Sequence, residues 1–135
     1  MKIPPLHPWD VSPEEAMEIQ RRLRARVSRE REFGRVDTVA GVDVGFQGEM
    51  AKAAVAVLSY PGLELVDKST AEMPVEFPYI PGLLTFREGP VILAALEKLT
   101  TEPDVFIFGG HGLAHPRRMG LATHIGVILD KPTIG

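Results

Sequence analysis

At 135 residues, with 44% hydrophobic and 24% charged side chains, the chain has the composition of one folded domain, expected over residues 1-135, and no apolar run approaches the about 20 residues of a membrane-spanning helix. It has no cysteine, which excludes a disulfide framework, and the opening MKIPPLHPWD lacks an apolar signal core, so the expectation is a cytoplasmic protein with no membrane partner. A formal net charge of -3 argues against gripping nucleic acid by bulk charge and leaves a local basic surface as the route for such binding.

After the proline-rich arm, Ser12, Pro13, Glu14 and Glu15 read as an N-cap, a first-turn proline and a capping-box glutamate, so a helix is predicted to begin here. Ala16, Ile19, Leu23 and Val27 recur at helical spacing, and Arg21, Arg22, Arg24, Arg26, Arg29 and Arg31 crowd the other face. That basic run reads equally as a solvated face or as a surface for phosphates.

From Val36 the period becomes two, with Val42, Val44 and Phe46 on one side and Gly41, Asp43 and Gly45 on the other. A turn at 47–49 follows, and residues 51–60 are small and apolar on both faces, the pattern of a strand covered on both sides. Pro61 and Gly62 turn the chain into a third strand over 63–73, which makes an antiparallel meander. A proline-rich loop at 77–82 leads to a helix predicted over 85–99. Residues 105–108 read as a fully covered parallel strand ending in Gly109, Gly110, His111 and Gly112. His115 and Pro116 are expected to open another helix, whose Gly120, Ala122, Thr123 and Gly126 allow close approach to the sheet, and residues 132–135 begin a last strand. This order is that of an α/β, ribonuclease-H-like mixed sheet flanked by helices on both faces, with the last strand shortened and the C-terminal helix missing.

Asp43 is the most informative residue. A carboxylate in the middle of a strand needs either water or a partner, and its neighbours Gly41 and Gly45 leave room above it for an ion and a sugar-phosphate chain; the competing account is a solvated sheet face. For Glu88 the competing account is a capping box from Thr85, which Gly89-Pro90 disfavours because proline removes an early helical hydrogen bond. Phosphodiester hydrolysis groups carboxylates around a divalent cation, and open α/β sheets gather ligands at the carboxyl ends of parallel strands. After Phe108 the sequence offers Gly109 and Gly110 where such a carboxylate is expected.

Three stretches carry a resemblance to the endonuclease V family, the deoxyinosine 3′ endonucleases, and it extends over essentially the whole chain. Residues 40–44 resemble that family's first catalytic strand, residues 78–88 its wedge loop and second catalytic element, and residues 110–118 the segment after its third; residues 132–135 also match. The resemblance implies hydrolysis of the second phosphodiester 3′ to a deaminated purine with Mg²⁺ or Mn²⁺, on DNA carrying deaminated bases and, in some members, on RNA. It implies Asp43 and Glu88 as catalytic metal ligands. Tyr79, flanked by Pro78 and Ile80, becomes a wedge that props the lesion base out of the stack. Gly110, Gly112 and Leu113 line a base pocket, while Arg87, His111, His115, Arg117 and Arg118 contact nucleic acid, the last three near a helix start suited to phosphate.

The family pattern has an aspartate where Gly109 stands, and beyond the Thr-Ile-Gly stretch it has a catalytic lysine and a helix with an acidic or histidine residue that residues 1–135 do not contain. The expectation is therefore weak or absent cleavage, and self-association as a homodimer through an exposed sheet edge. Two readings compete with the nuclease: a non-catalytic binder of inosine-containing or distorted nucleic acid, and a metal site on His111, His115 and His124, which lacks a carboxylate or cysteine partner.

Overall fold

The computed structural model describes residues 1–28 and 34–135; Arg29 and Arg31 of the basic run lie outside them. Helix α1 spans Pro13–Leu23, and Ser12 caps it as expected: its hydroxyl accepts from the Glu15 amide at 3.2 Å while the Glu15 carboxylate accepts from the Ser12 amide at 3.3 Å. The helix ends earlier than its apolar spacing predicts. Arg24–Arg26 tighten into a 3-10 turn, and Val27 is already extended.

Three strands follow, β1 (Thr38–Gln47), β2 (Met50–Ser59) and β3 (Leu65–Pro74), then helix α2 (Leu84–Glu97), strand β4 (Val105–Phe108), helix α3 (Leu121–Leu129) and strand β5 (Thr133–Ile134). The sheet order is β3-β2-β1-β4-β5, with the meander antiparallel and β1, β4 and β5 mutually parallel. The mixed α/β sheet flanked by helices is thus the one expected, except that helices were expected on both faces and α2 and α3 pack into the same core.

Register explains which face is buried. Val42 pairs with Val55 and with Phe108, Ala40 with Val57 and Phe106, and these side chains meet Val91, Ile92 and Leu96 of α2 and Leu121, Ile125 and Ile128 of α3 in one core. Asp43 pairs with Ala54 and Gly41 with Ile107 on the opposite face. Two expectations are corrected here. β2 is not covered on both sides, since Lys52, Ala54 and Ala56 are exposed between buried neighbours, and β4 is not fully covered, since Ile107 is 45% exposed. Among the described residues, α2 and α3 occupy one face only; small side chains made the open face of β2 look buried because alanine is equally at home on either side.

A second cluster joins α1 to the start of α2, where Ala16, Ile19 and Leu23 pack with Phe77, Leu83, Phe86 and Met119. The N-terminal arm runs across the outside of this layer. The Met1 ammonium donates to Leu99 O at 2.6 Å, near the C-terminus of α2, where carbonyls lack helical partners, and the Trp9 indole lies on Gly89 so closely that a Cβ there would come within 2.7 Å of the ring.

Candidate functional site

The parallel register of β1 and β4 puts Asp43 next to the residue after Phe108, at the carboxyl ends of both strands. A Cβ built on Gly109 would stand 3.3 Å from Asp43 Oδ1, a tight approach that the exposed carboxylate relieves by moving a few tenths of an ångström. Asp43 is exposed on the open sheet face, and its Oδ1 accepts from the Val44 amide at 3.0 Å. Gly41, Ala54 and Ile107 form a shallow apolar floor beside it, with Lys68 at the far side.

Glu88 approaches from the first turns of α2. Partial burial, and then the negative charge of Asp43, push its carboxyl up to about 7, against a smaller opposing pull from Arg87. The Glu88 carboxyl therefore feels the charge of Asp43, which itself lies beside the glycine-rich bend. The capping-box account of Glu88 is overturned: α2 starts after Leu83 with no side-chain cap, and Thr85 is a buried helical residue. The neighbouring Arg87 has its guanidinium carbon 4.9 Å from the Phe46 ring centre and donates to Phe77 O at 3.0 Å, which ties α2 to the end of β1 and to the loop before it.

That loop carries Tyr79, 72% exposed, between exposed Pro78 and half-buried Ile80. It closes in a turn with Pro81 and Gly82 at its centre, Leu83 N donating to Ile80 O at 3.0 Å and Gly82 at φ +86°, the conformation in which a type II turn selects glycine.

The segment from Gly110 to Arg118 departs from expectation. No helix begins at His115; α3 starts at Leu121, behind Gly120. The reason is local. His115 Nδ1 accepts from the amides of Arg117 and Met119, at 3.0 and 3.2 Å, and Arg118 takes φ +56°, so the chain turns before it can coil. His115, Arg117 and Arg118 consequently precede the helix start that was to favour phosphate. Because His115 Nδ1 is an acceptor, its Nε2 carries the proton and donates to Gly82 O at 2.6 Å. Arg117 donates from Nε to Gln20 Oε1 at 2.6 Å and from Nη2 to Gly82 O at 3.2 Å. Arg118 and His111 remain exposed, and Gly110, Gly112 and Leu113 form a half-buried bend against α3, where Ala122 N donates to His111 O and Gly120 N to Gly112 O. A Cβ on Gly120 would collide with His111 O, so this close approach needs glycine.

The three-histidine metal reading fails among the described residues, where no group of three or more potential ligands is present. His115 is engaged as above. His124 is fully buried on α3 and meets His7 of the arm, Nε2 to Nε2, at 2.8 Å. His7 Nδ1 donates to Pro8 O at 2.8 Å, so His7 Nε2 is bare and accepts from His124 Nε2–H, which leaves His124 Nδ1 without a partner. Burial holds His7 below the usual histidine range and pushes His124 down to about 3.

Sequence reasoning did not single out Gln20, which is fully buried. Its signal was present: positions 16, 19, 20 and 23 form one helical stripe, and a polar residue at 20 among apolar ones needs partners inside.

A family model described as Endonuclease V matches residues 21–135. The endonuclease V of Methanothrix thermoacetophila is 56% identical over 135 residues, covering 100% of this chain and 60% of that protein, and that of Trichormus variabilis 52% identical over 138 residues, covering 100% and 62%. Among solved structures, endonuclease V from Streptomyces avermitilis superposes with a TM-score of 0.87 at 43% identity, covering 93% of this chain and 57% of that one. Ciona intestinalis endonuclease V, in complex with a 24mer DNA containing an inosine followed by a ribo-adenosine, gives 0.81 at 33%, covering 89% and 55%. The chain spans about 60% of the length of the curated relatives it matches.

Proposed function

Because the chain belongs to the endonuclease V family, we propose that its single domain, residues 1-135, recognises deoxyinosine in damaged DNA and carries part of the apparatus that hydrolyses the backbone 3′ to it, with cleavage impaired in this chain. The observation that carries the reading is that Asp43 lies beside position 109 at the carboxyl ends of β1 and β4, within electrostatic reach of Glu88 on α2.

Two carboxylates close enough to feel each other's charge, only partly offset by Arg87, suit a hard divalent ion such as Mg²⁺ or Mn²⁺, and these two residues would hold it. When bound, the ion supplies charge neutralisation and an acidified water. The chain's own residues do the rest. Tyr79, with Pro78 and Ile80, enters between strands; Gly110, His111, Gly112 and Leu113 offer backbone groups to the displaced base; Arg87 and Arg118 lie near the phosphates. His115 and Arg117 act from behind, through Gly82. Gly109 provides neither charge nor ligand, which is the physical ground for impaired cutting and for the second reading: a binder of inosine-containing nucleic acid that does not cut.

Binding and cutting of inosine-containing and undamaged duplexes in Mg²⁺ test the proposal. Affinity at least about tenfold higher for inosine, or about 1.4 kcal/mol, is expected, with little product; equal affinity for both duplexes would refute it. Rapid, selective cutting would overturn the impairment. An inosine-containing RNA strand in the same assay decides whether RNA is also a partner. A cytoplasmic location and dimerisation through the outer edge of the sheet belong to the same proposal; no helix among the described residues is long and apolar enough to cross a membrane.

A further inference from the structure

One carbonyl oxygen in the molecule is claimed by three donors from two distant parts of the chain. Gly82 O accepts from Gln20 Nε2 of α1 at 2.9 Å, from His115 Nε2 at 2.6 Å and from Arg117 Nη2 at 3.2 Å, and the two sides are locked together because Arg117 Nε donates to Gln20 Oε1 at 2.6 Å. Gln20 uses both ends of its amide inside this cradle and is wholly buried. Loss of either bond would leave a polar atom of this buried amide without its partner.

The pinned carbonyl belongs to the turn that ends the Tyr79 loop. On the other side of Tyr79, Phe77 is buried and its carbonyl is held by Arg87 Nη1. The exposed ring is thus suspended between two fixed points only a few residues apart. A side chain at position 82 would bring its Cβ within 2.7 Å of Arg117 Nη2, so glycine is needed there for the guanidinium as well as for the positive φ.

We propose that Gln20 is a positioning residue for base recognition: through Gly82 O and Arg117 it sets the place and stiffness of the Tyr79 loop, so α1 takes part in the choice of substrate without touching it. The inference rests on the reading of Tyr79 as the strand-separating wedge. A loose wedge must be ordered at the moment of binding, which weakens complexes that need it and leaves unselective phosphate contact unchanged.

The chain has two tyrosines, Tyr60 and Tyr79, so uniform 3-fluorotyrosine labelling gives two ¹⁹F signals, with Tyr60 as an internal reference. Gln20→Met keeps the volume and removes both hydrogen bonds; Arg117→Lys keeps the charge and removes the fork, and decides the matter should Gln20→Met fail to fold. Each variant is expected to move the Tyr79 signal toward its denatured position, to leave Tyr60 unmoved, and to weaken binding of an inosine-containing duplex about tenfold with binding of the undamaged duplex unchanged. The proposal is overturned if Tyr79 stays where it is in the folded variants, or if it moves while discrimination persists. Failure of the unaltered chain to discriminate counts against the proposed function instead, and the Tyr79 signal then still decides whether Gln20 fixes the loop.

Discussion

Gly109 and Gly82 show how much a missing side chain can decide. At 109 a side chain meets only the exposed Asp43 carboxylate, whose Oδ1 would lie 3.3 Å from the new Cβ and need to shift by a few tenths of an ångström, with no backbone in the way. Gly109→Asp should therefore fold normally and raise Mn²⁺ affinity roughly tenfold or more, the scale on which changes around a metal's ligands act, measured by isothermal titration; Asp43→Ala in the same background should abolish binding, and an unchanged affinity in Gly109→Asp would show that position 109 does not face the ion. At 82 there is no such space. Gly82→Ala combines an unfavourable positive φ with a clash on the Arg117 guanidinium, and a loss of about 1–3 kcal/mol is expected in urea unfolding.

At the scale of elements, the N-terminal arm behaves as a strap. Its Trp9 lies over Gly89 of α2 and stacks on the His124 ring of α3, its His7 reaches His124, and the Phe86 ring meets Trp9 and His124 edge-on. Gly89→Ala should push the single tryptophan outward, red-shifting its fluorescence, and cost about 1–3 kcal/mol as over-packed contacts do; an unshifted spectrum would mean that Trp9 is not seated there. The same strap makes stability depend on pH. In the unfolded chain both histidines protonate near 6.5, whereas in the folded one burial keeps both neutral to lower pH, with Arg22 opposing His7 and with His7 and His115 opposing His124. Below about 6.5 the unfolded state binds more protons, so their contribution is complete above that pH and is lost on acidification, at up to about 1.4 kcal/mol per pH unit for His124. Denaturant midpoints at pH 7.5 and 5.5 should separate clearly, and His124→Leu should bring them closer together; an identical gap in the variant would rule out the pair as its source.

For the whole molecule, β5 has only two residues and its Ile134 is 55% exposed, and the proposed dimer is the one that would pair along this strand. Concentration-dependent dimers are expected by light scattering in the 10–100 µM range that weak edge pairing requires, about -5.5 to -7 kcal/mol, and a strict monomer there would remove the dimer from the proposal. The elements themselves were legible in the chain: the capping box of α1, the alternation around Asp43, the apolar run of β4 and the Tyr79 loop all depend on residues close in sequence, whose turn chemistry and periodicity act locally. The family resemblance pointed to the same carboxylates. Three things were decided only by tertiary structure. The open face of β2 and β4 could not be read, because alanine and isoleucine do not declare which side is covered; the delayed start of α3 could not be read, because the local bonds of His115 Nδ1 to the Arg117 and Met119 amides depend on a ring anchored from the far side by Nε2 on Gly82 O; and the cradle on Gly82 O joins residues 20, 82, 115 and 117. Periodicity reports what a residue does to its neighbours along the chain, whereas the influence of Asp43 on Glu88, and the bonds of Gln20 to Gly82 and Arg117, follow from packing between elements, which no local pattern encodes.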